Sequence, residues 1–111
     1  MIYEPWSVVV VPFPFIDRRQ VKRRPTVVLS PAPFQEGHRC SVLGMITDAR
    51  NPPWPTDVPL TDVEAAGLRL PSVFRCKIFT LDSGLILSQI GELSVRDRRA
   101  VKRVLRLAIA G

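Results

Sequence analysis

The residue best suited to chemistry in this sequence is Arg24, which precedes Pro25 and an apolar run. Val27, Val28 and Leu29 are apolar at consecutive positions, as in a strand that is covered on both faces. Pro25 has a fixed φ and disfavours helical backbone in the residue before it, so Arg24 is held extended. A guanidinium on a stiff element is a good anion clamp because its donors form a planar fork. The pattern therefore predicts an anion site where this strand begins.

Aromatic residues interleaved with cations suggest contacts to nucleic acid. A loop is predicted over residues 13–23, in which phenylalanines alternate with arginines and a lysine. Such a loop suits a single strand, because bases stack on the rings while cations take the phosphates. The alternative is a solvated basic loop whose phenylalanines pack into the core. Trp54, in the proline-rich residues 51–55, is either a lid over the sheet or a contact for a partner. The candidate RNA-binding residues are Phe15, Arg18, Arg19, Lys22, Arg23 and Trp54.

Three further side chains could meet an anion. Arg75 and Lys77 alternate with apolar residues in a strand predicted over residues 71–80, so they share one face. Two neighbouring cations repel each other unless an anion lies between them, and the alternative is that both are solvated. Thr47 ends a strand predicted over residues 40–47, where its hydroxyl either starts a turn or donates to an anion.

The elements that must position these side chains are mostly strands. With 111 residues the chain is expected to form a single domain, residues 1–111. Residues 32–39 are predicted to be irregular, and residues 62–66 to form one helical turn, capped by Thr61 and ended by Gly67. Ser94 is predicted to cap a helix that reaches about Ala108. The other predicted strands cover residues 6–11, 57–60 and 85–90, the second of them at a sheet edge.

Composition and charge narrow the class of protein. Sixteen Lys and Arg against ten Asp and Glu give a net charge of +6, which favours nucleic acid or an acidic protein segment as partner. The apolar run at residues 8–11 is far shorter than the about 20 residues of a membrane span, so we expect a soluble, cytoplasmic protein. Cys40 and Cys76 form no disulfide framework and lack metal-ligand spacing.

In these motifs the chain resembles the MazF/PemK toxins of type II toxin-antitoxin systems. Residues 24–31 (RPTVVLSP) carry the most specific likeness, and residues 8–15 (VVVVPFPF) resemble the family's opening strand and loop. Residues 46–47 (IT) and 78–82 (IFTLD) add weaker matches, so that the resemblance covers nearly the whole chain. It implies a mainly β fold, an SH3-like barrel related to the CcdB toxins. A short helix after the middle strands and a C-terminal α-helix would complete it.

The resemblance also implies an activity. Such toxins are homodimeric, metal-independent endoribonucleases that need no cofactor, cut single-stranded RNA and are silenced by an acidic antitoxin. The ribose 2′-hydroxyl attacks the neighbouring phosphorus and leaves a 2′,3′-cyclic phosphate. Arg24 matches the family's catalytic arginine and Thr47 its active-site threonine. Residues 75–77 (RCK) stand where some members have Arg-Cys-Asp. Arg75 therefore joins the catalytic candidates, Lys77 is assigned electrostatic stabilisation, and the general base is left open.

Two other functions remain compatible with the same barrel. One is a non-hydrolytic toxin that, like the CcdB toxins, binds a protein such as gyrase. The C-terminal helix argues against it, because it ends in basic and small residues without an aromatic anchor. The other is an inactive domain that binds RNA or a partner protein, which the lack of an obvious base favours.

Overall fold

The computed structural model describes residues 2–13 and 22–109 and is built on one six-stranded antiparallel sheet, curled into a half-barrel. The strand order across the sheet is β4-β5-β3-β2-β1-β6. The strands are β1 (Ser7–Phe13), β2 (Lys22–Val28), β3 (Cys40–Asp48), β4 (Val58–Pro59), β5 (Ser72–Asp82) and β6 (Ser88–Glu92). The helices are α1 (Ala32–His38) and α2 (Val95–Ala108), with one 3-10 turn at Ser83–Leu85. The predicted mainly β barrel with a C-terminal helix is confirmed.

Consecutive apolar residues in the central strands serve two separate cores. Val8 and Val27 face a cluster that includes Phe74 and is closed by Val101 of α2. Their neighbours Val9 and Val28 face a second cluster, because successive side chains of a strand point to opposite faces. The prediction that the first two strands are covered on both faces is thus confirmed, although β2 begins at Lys22, inside the predicted loop.

The prediction of an irregular segment over residues 32–39 is wrong, because α1 lies there. Pro33 and Gly37 give this helix weak intrinsic propensity. A tertiary contact holds it instead: the buried Gln35 amide accepts from Tyr3 N and donates to the carbonyls of Tyr3 and Ser30, at 2.7–3.0 Å. A polar residue that is satisfied by distant backbone leaves no periodic signal in the sequence.

The predicted short helix over residues 62–66 is also wrong, because this segment forms hydrogen-bonded turns. Thr61 does not cap it. Its N–H and its hydroxyl donate to the buried carboxylate of Asp97 on α2, and Asp62 accepts from Ala65 N instead. Gly67 does end the segment with a left-handed φ of 75°, where a Cβ would lie 2.1 Å from the Ile90 carbonyl oxygen. The only short α-helix in the described residues before α2 is therefore α1, between β2 and β3.

The sheet carries an irregularity beside the predicted cationic residues. Met45 lies opposite Arg75, whereas the preceding Gly44 lies opposite Ile78. Cys76 and Lys77 consequently have no partner on β3, and β5 bulges at this point. A bulge redirects side chains, so Arg75 and Lys77 need not point the same way even though they are two residues apart.

Candidate active site

A cavity of about 270 Å³ opens where β2 and β3 separate. The pairing of these strands ends at Thr26 and Met45. The neighbour of Thr26 on β2 is Pro25, which has no N–H to donate. Beyond that point the two strands diverge, and Arg24 and Thr47 line the space between them. The remaining lining residues are Arg23, Pro25, Ile46, Asp48, Asn51, Leu68, Arg69, Leu70 and Ser72. The structure thus brings together the two residues with the strongest sequence assignment.

Arg24 is held against an aromatic ring and keeps an unused donor. Its guanidinium carbon lies 5.9 Å from the centroid of the Phe13 ring, a cation–π distance. Its Nε is buried and finds no hydrogen-bond acceptor among residues 2–13 and 22–109. A buried donor without an acceptor costs free energy, and a bound anion is one partner that would remove this cost. Arg24 therefore lines the cavity and carries one buried donor that no described residue accepts from.

The Thr47 hydroxyl is oriented by a neighbouring amide. Asn51 Nδ2 donates to Thr47 Oγ1 at 2.7 Å, which leaves the threonine O–H to donate elsewhere. Asp48 is tied to Arg50 through both carboxylate oxygens at 2.7–3.2 Å. Hydrogen bonds from the Arg50 side chain and backbone lower the pKa of Asp48 to about 2. The cavity therefore holds a hydroxyl donor and a strongly ionised carboxylate.

Arg75 does not have the free guanidinium that the sequence suggested. Its Nε and Nη2 donate to the two carboxylate oxygens of Asp57 at 3.0 and 2.9 Å, and Nη2 also donates to the Pro52 carbonyl at 2.9 Å. Only 13% of the Arg75 side chain and 9% of the Asp57 side chain are exposed. The hydrogen bonds lower the pKa of Asp57 and raise that of Arg75. Asp57 therefore supplies Arg75 with the anion that the sequence predicted between Arg75 and Lys77.

Lys77 contacts a different neighbour from Arg75. Its Nζ lies 5.7 Å from the centroid of the Phe13 ring, the same ring that Arg24 contacts. Lys77 is exposed, whereas Arg75 is mostly covered. The predicted pair of adjacent cations is therefore replaced by Arg24 and Lys77 around Phe13, with Arg75 bound to Asp57.

The predicted RNA-binding residues are placed in part. Lys22 and Arg23 are exposed at the start of β2, and Arg23 lines the cavity. Trp54 is 42% exposed, with the Arg75 guanidinium carbon 4.9 Å from its ring centroid. Phe15, Arg18 and Arg19 lie outside the described residues.

Sequence reasoning missed Asn51, Arg69 and Asp57. Asn51 and Arg69 enter the cavity from loops, and Asp57 reaches Arg75 from the residue before β4. Loop side chains have no periodicity, so only the proximity of Asn51 to Thr47 in the sequence could have suggested a local hydrogen bond. Among the described residues, no group of three His, Cys, Asp or Glu side chains lies close enough to hold a metal ion.

Comparison with known protein families shows to which family the chain belongs. The family described as PemK-like, MazF-like toxin of type II toxin-antitoxin system matches residues 4–109. The chain belongs to this family. Comparison with curated proteins found no match. Within the described part of the chain, no helix is long and apolar enough to span a membrane.

Solved structures of family members share the fold. MazF from Deinococcus radiodurans is 22% identical with a TM-score of 0.76, over 100% of this chain and 99% of that one. MazF in a MazE–MazF crystal from the same organism is 20% identical with a TM-score of 0.75, over 99% and 97%. A mycobacterial endoribonuclease solved with its cognate antitoxin is 15% identical with a TM-score of 0.73, over 96% and 92%. At these identities the likeness establishes the fold alone.

Proposed function

We propose that this chain is a toxin that cleaves single-stranded RNA without a metal ion. The observation that carries the proposal is that Arg24 and Thr47 line one cavity, where Arg24 keeps a buried Nε without an acceptor among the described residues. An anion with several acceptor oxygens, such as a phosphodiester, satisfies both donors at once. Members of the same family that are named endoribonucleases support this reaction class.

The chemistry needs no nucleophile from the protein. The ribose 2′-oxygen attacks the adjacent phosphorus, the bond to the 5′-oxygen of the next nucleotide breaks, and a 2′,3′-cyclic phosphate and a 5′-hydroxyl result. The proton of the 2′-hydroxyl must leave, and the departing oxygen must gain one. The protein contributes by stabilising the negative charge that develops on the phosphoryl oxygens in the transition state.

Each residue has a role in that scheme. Arg24 binds the phosphoryl oxygens with its fork of donors. We also assign it proton donation to the departing oxygen. The Thr47 hydroxyl donates to a phosphoryl oxygen, because Asn51 already occupies an acceptor position of its Oγ1. Lys77, on the other side of Phe13, adds positive charge. The Asp48 carboxylate is a weak base at a pKa of about 2, so the general base of the proposal stays unassigned.

RNA outside the cavity would contact exposed cations and rings. Lys22 and Arg23 extend the basic surface along β2, and Trp54 offers an exposed ring for a base. Phe15, Arg18 and Arg19 belong to this proposal on sequence grounds.

We extend the proposal to two partners. An acidic antitoxin suits the net charge of +6, and related structures contain MazE or a cognate antitoxin. A homodimer suits the exposed Leu85 and Leu87, which precede the edge strand β6, and the exposed Ile90 within it. Sedimentation at micromolar concentration should show a species of twice 12.5 kDa, and a monomer alone would contradict the dimer. A cytoplasmic site of action belongs to the same proposal, because cellular RNA is its substrate.

The test is an RNA digest in excess EDTA with three proteins: wild type, Arg24→Gln and Arg106→Gln. Arg106 is exposed on α2, away from the cavity lining, and controls for the loss of one positive charge. The wild type and Arg106→Gln should cleave at the same rate. Arg24→Gln should cleave about 100-fold more slowly, the usual effect of removing one donor to a transition-state oxyanion. Intact RNA with every sequence tried, or equal cleavage by Arg24→Gln, contradicts the proposal; binding without cleavage would indicate an inactive RNA-binding domain.

A further inference from the structure

Arg75 contacts three residues of one loop. The guanidinium binds the Asp57 carboxylate and the Pro52 carbonyl, and it lies against the Trp54 ring. Asp57 also accepts from Trp54 N at 2.9 Å, and Asp57 N donates to the Trp54 carbonyl at 3.0 Å. Residues 51–57, which we call the tryptophan loop, are therefore fastened to β5 at three points by one arginine.

The same loop reaches the cavity at its other end. Asn51, which precedes Pro52, donates to Thr47 Oγ1. On the sheet beneath, Thr47 lies opposite Val73, and Met45 lies opposite Arg75. Directly opposed residues of an antiparallel pair point to the same face, and so do residues two apart, so Thr47 and Arg75 share a face. The tryptophan loop lies over that face and connects the two side chains.

The burial of the Arg75–Asp57 ion pair argues against a direct role of Arg75 in the reaction. Breaking a mostly buried, bidentate pair leaves one charge without its partner, which is costly. A cation that must bind a phosphate would need to give up Asp57 at each turnover. The buried Nε of Arg24, in contrast, has no acceptor to release among the described residues.

We propose that Arg75 and Asp57 are a positioning pair for the nuclease site. They hold the tryptophan loop so that Asn51 orients the Thr47 hydroxyl and Trp54 presents its ring to a nucleobase beside the cleaved phosphate. The guanidinium covers part of the ring, and the exposed remainder is free to stack. Stacking of a base on an aromatic side chain is worth about 1–3 kcal/mol and tolerates every base, so Trp54 would set affinity more than sequence preference. This inference rests on the proposed nuclease function.

A double-mutant cycle distinguishes positioning from reaction. The variants are Asp57→Asn, Arg75→Gln and the two combined, assayed for kcat and KM at a temperature where each is folded. A positioning pair predicts that each single variant loses about tenfold in kcat/KM and that the double variant loses no more, because either change already breaks the unit. Arg75→Lys should resemble Arg75→Gln, because lysine cannot make the bidentate contact.

A reacting Arg75 gives the opposite pattern. Arg75→Gln would then lose far more activity than Asp57→Asn, Arg75→Lys would recover much of it, and the inference would be overturned. The control is the ion pair of Arg98 with Glu92, at 3.1 Å, whose side chains are 30% and 67% exposed, changed to glutamine on both sides. That double variant should keep kcat/KM within about twofold, because the pair is partly solvated and lies outside the cavity lining.

A binding assay provides a readout that does not depend on cleavage. The chain has two tryptophans, so in a Trp6→Phe background the emission comes from Trp54 alone. A 2′-O-methyl RNA oligomer, which lacks the attacking hydroxyl, should quench this emission, and an abasic oligomer of equal length should quench it much less. Asp57→Asn in the same background should weaken the binding severalfold.

The outcomes separate the two proposals. If the wild type cleaves RNA but the losses of the two single variants add up in the double variant, the positioning role is overturned and the nuclease proposal stands. Cleavage combined with equal quenching by the abasic oligomer has the same consequence. No cleavage together with base-dependent quenching overturns the nuclease and keeps Trp54 as a stacking surface held by the pair. No cleavage and no quenching overturn both.

Discussion

Two arginines of this sheet have the same kind of aromatic neighbour but opposite electrostatic surroundings. Arg24 lies 5.9 Å from the Phe13 ring centroid, and Arg75 lies 4.9 Å from that of Trp54. Arg75 is neutralised by the Asp57 carboxylate, whereas Arg24 has a buried Nε without an acceptor in the described part of the chain. The first arrangement stabilises the native structure and the second leaves a donor for a ligand.

The difference teaches that a cation beside an aromatic ring does not by itself indicate a binding site. An arginine beside a ring is available to a ligand only where no carboxylate already binds its guanidinium donors. The Arg24 cavity exists because Pro25 ends a strand pairing, and the Arg75 contacts exist because Asp57 is brought over β5. Substitutions at the two positions should therefore affect different measurements.

The largest expected effect on stability comes from Arg75→Gln. It leaves the Asp57 carboxylate, whose side chain is only 9% exposed, without its partner. This should lower the free energy of unfolding by about 2 kcal/mol, somewhat less than for a fully buried pair. That corresponds to a fall of roughly 10 °C in Tm for a domain of this size. Arg24→Gln should change Tm by no more than about 2 °C, because none of the carboxylates in residues 2–13 and 22–109 loses a partner. Thermal unfolding followed by circular dichroism measures both, and an equal fall in Tm for the two variants would remove the distinction.

Thr47→Val should lower cleavage by about tenfold, as expected for the loss of one hydrogen bond from a hydroxyl to a charged oxygen of the transition state. Thr47→Ser keeps the hydroxyl and should retain most of the activity. Neither change should move Tm by more than a few degrees, since Thr47 is at a strand end. Rates of RNA cleavage for the two variants test this, and a valine variant as active as wild type would remove Thr47 from the site.

The Asp57–Arg75 pair should make stability depend on pH in acid. The pKa of Asp57 is lowered by its hydrogen bonds to Arg75, so the pair contributes fully above the ordinary pKa of 3.8. The contribution is lost as the pH falls through the lower, folded-state pKa. The difference in unfolding free energy between wild type and Arg75→Gln should therefore shrink below pH 4. Denaturant unfolding at pH 6 and at decreasing pH measures it; a constant difference would show that the ion pair is not its source.

The smallest effect should follow from Arg50→Ala. The pKa of Asp48 should rise from about 2 part of the way towards 3.8, because the side-chain hydrogen bonds of Arg50 are lost while the backbone N–H of residue 50 still donates to Asp48. The Arg50 side chain is 82% exposed, so Tm at neutral pH should not change measurably. Carboxylate titration by NMR checks the pKa, and a fall in Tm as large as that of Arg75→Gln would contradict the contrast between exposed and covered pairs.

The sequence was informative where local rules decide the structure. Consecutive valines predicted strands covered on both faces, Pro25 predicted the stiff backbone at Arg24, and Ser94 predicted the start of α2. These features depend on a few neighbouring residues. The assignment of Arg24 and Thr47 to one site came instead from the resemblance to the family, because local rules left the Thr47 hydroxyl with either a turn or an anion as partner.

The sequence was uninformative where contacts between residues far apart in the chain determine the structure. Helix α1 depends on Gln35 binding the backbone of Tyr3, 32 residues away, and Arg75 depends on Asp57, 18 residues away. The free-cation prediction for Arg75 failed because single carboxylates in loops give no sign of which cation they will meet. The bulge at Cys76 and Lys77 also altered the pairing that simple alternation predicts.

The most direct test of the central claim is the chemistry of the RNA ends produced in excess EDTA. If Arg24 holds the phosphodiester while the ribose oxygen attacks it, wild type leaves a 2′,3′-cyclic phosphate and a 5′-hydroxyl. A single 2′-deoxy nucleotide at the cleaved position should then stop the reaction, as Arg24→Gln nearly does. Products with a 5′-phosphate, cleavage that requires an added divalent metal, or cleavage of the 2′-deoxy substrate would contradict it.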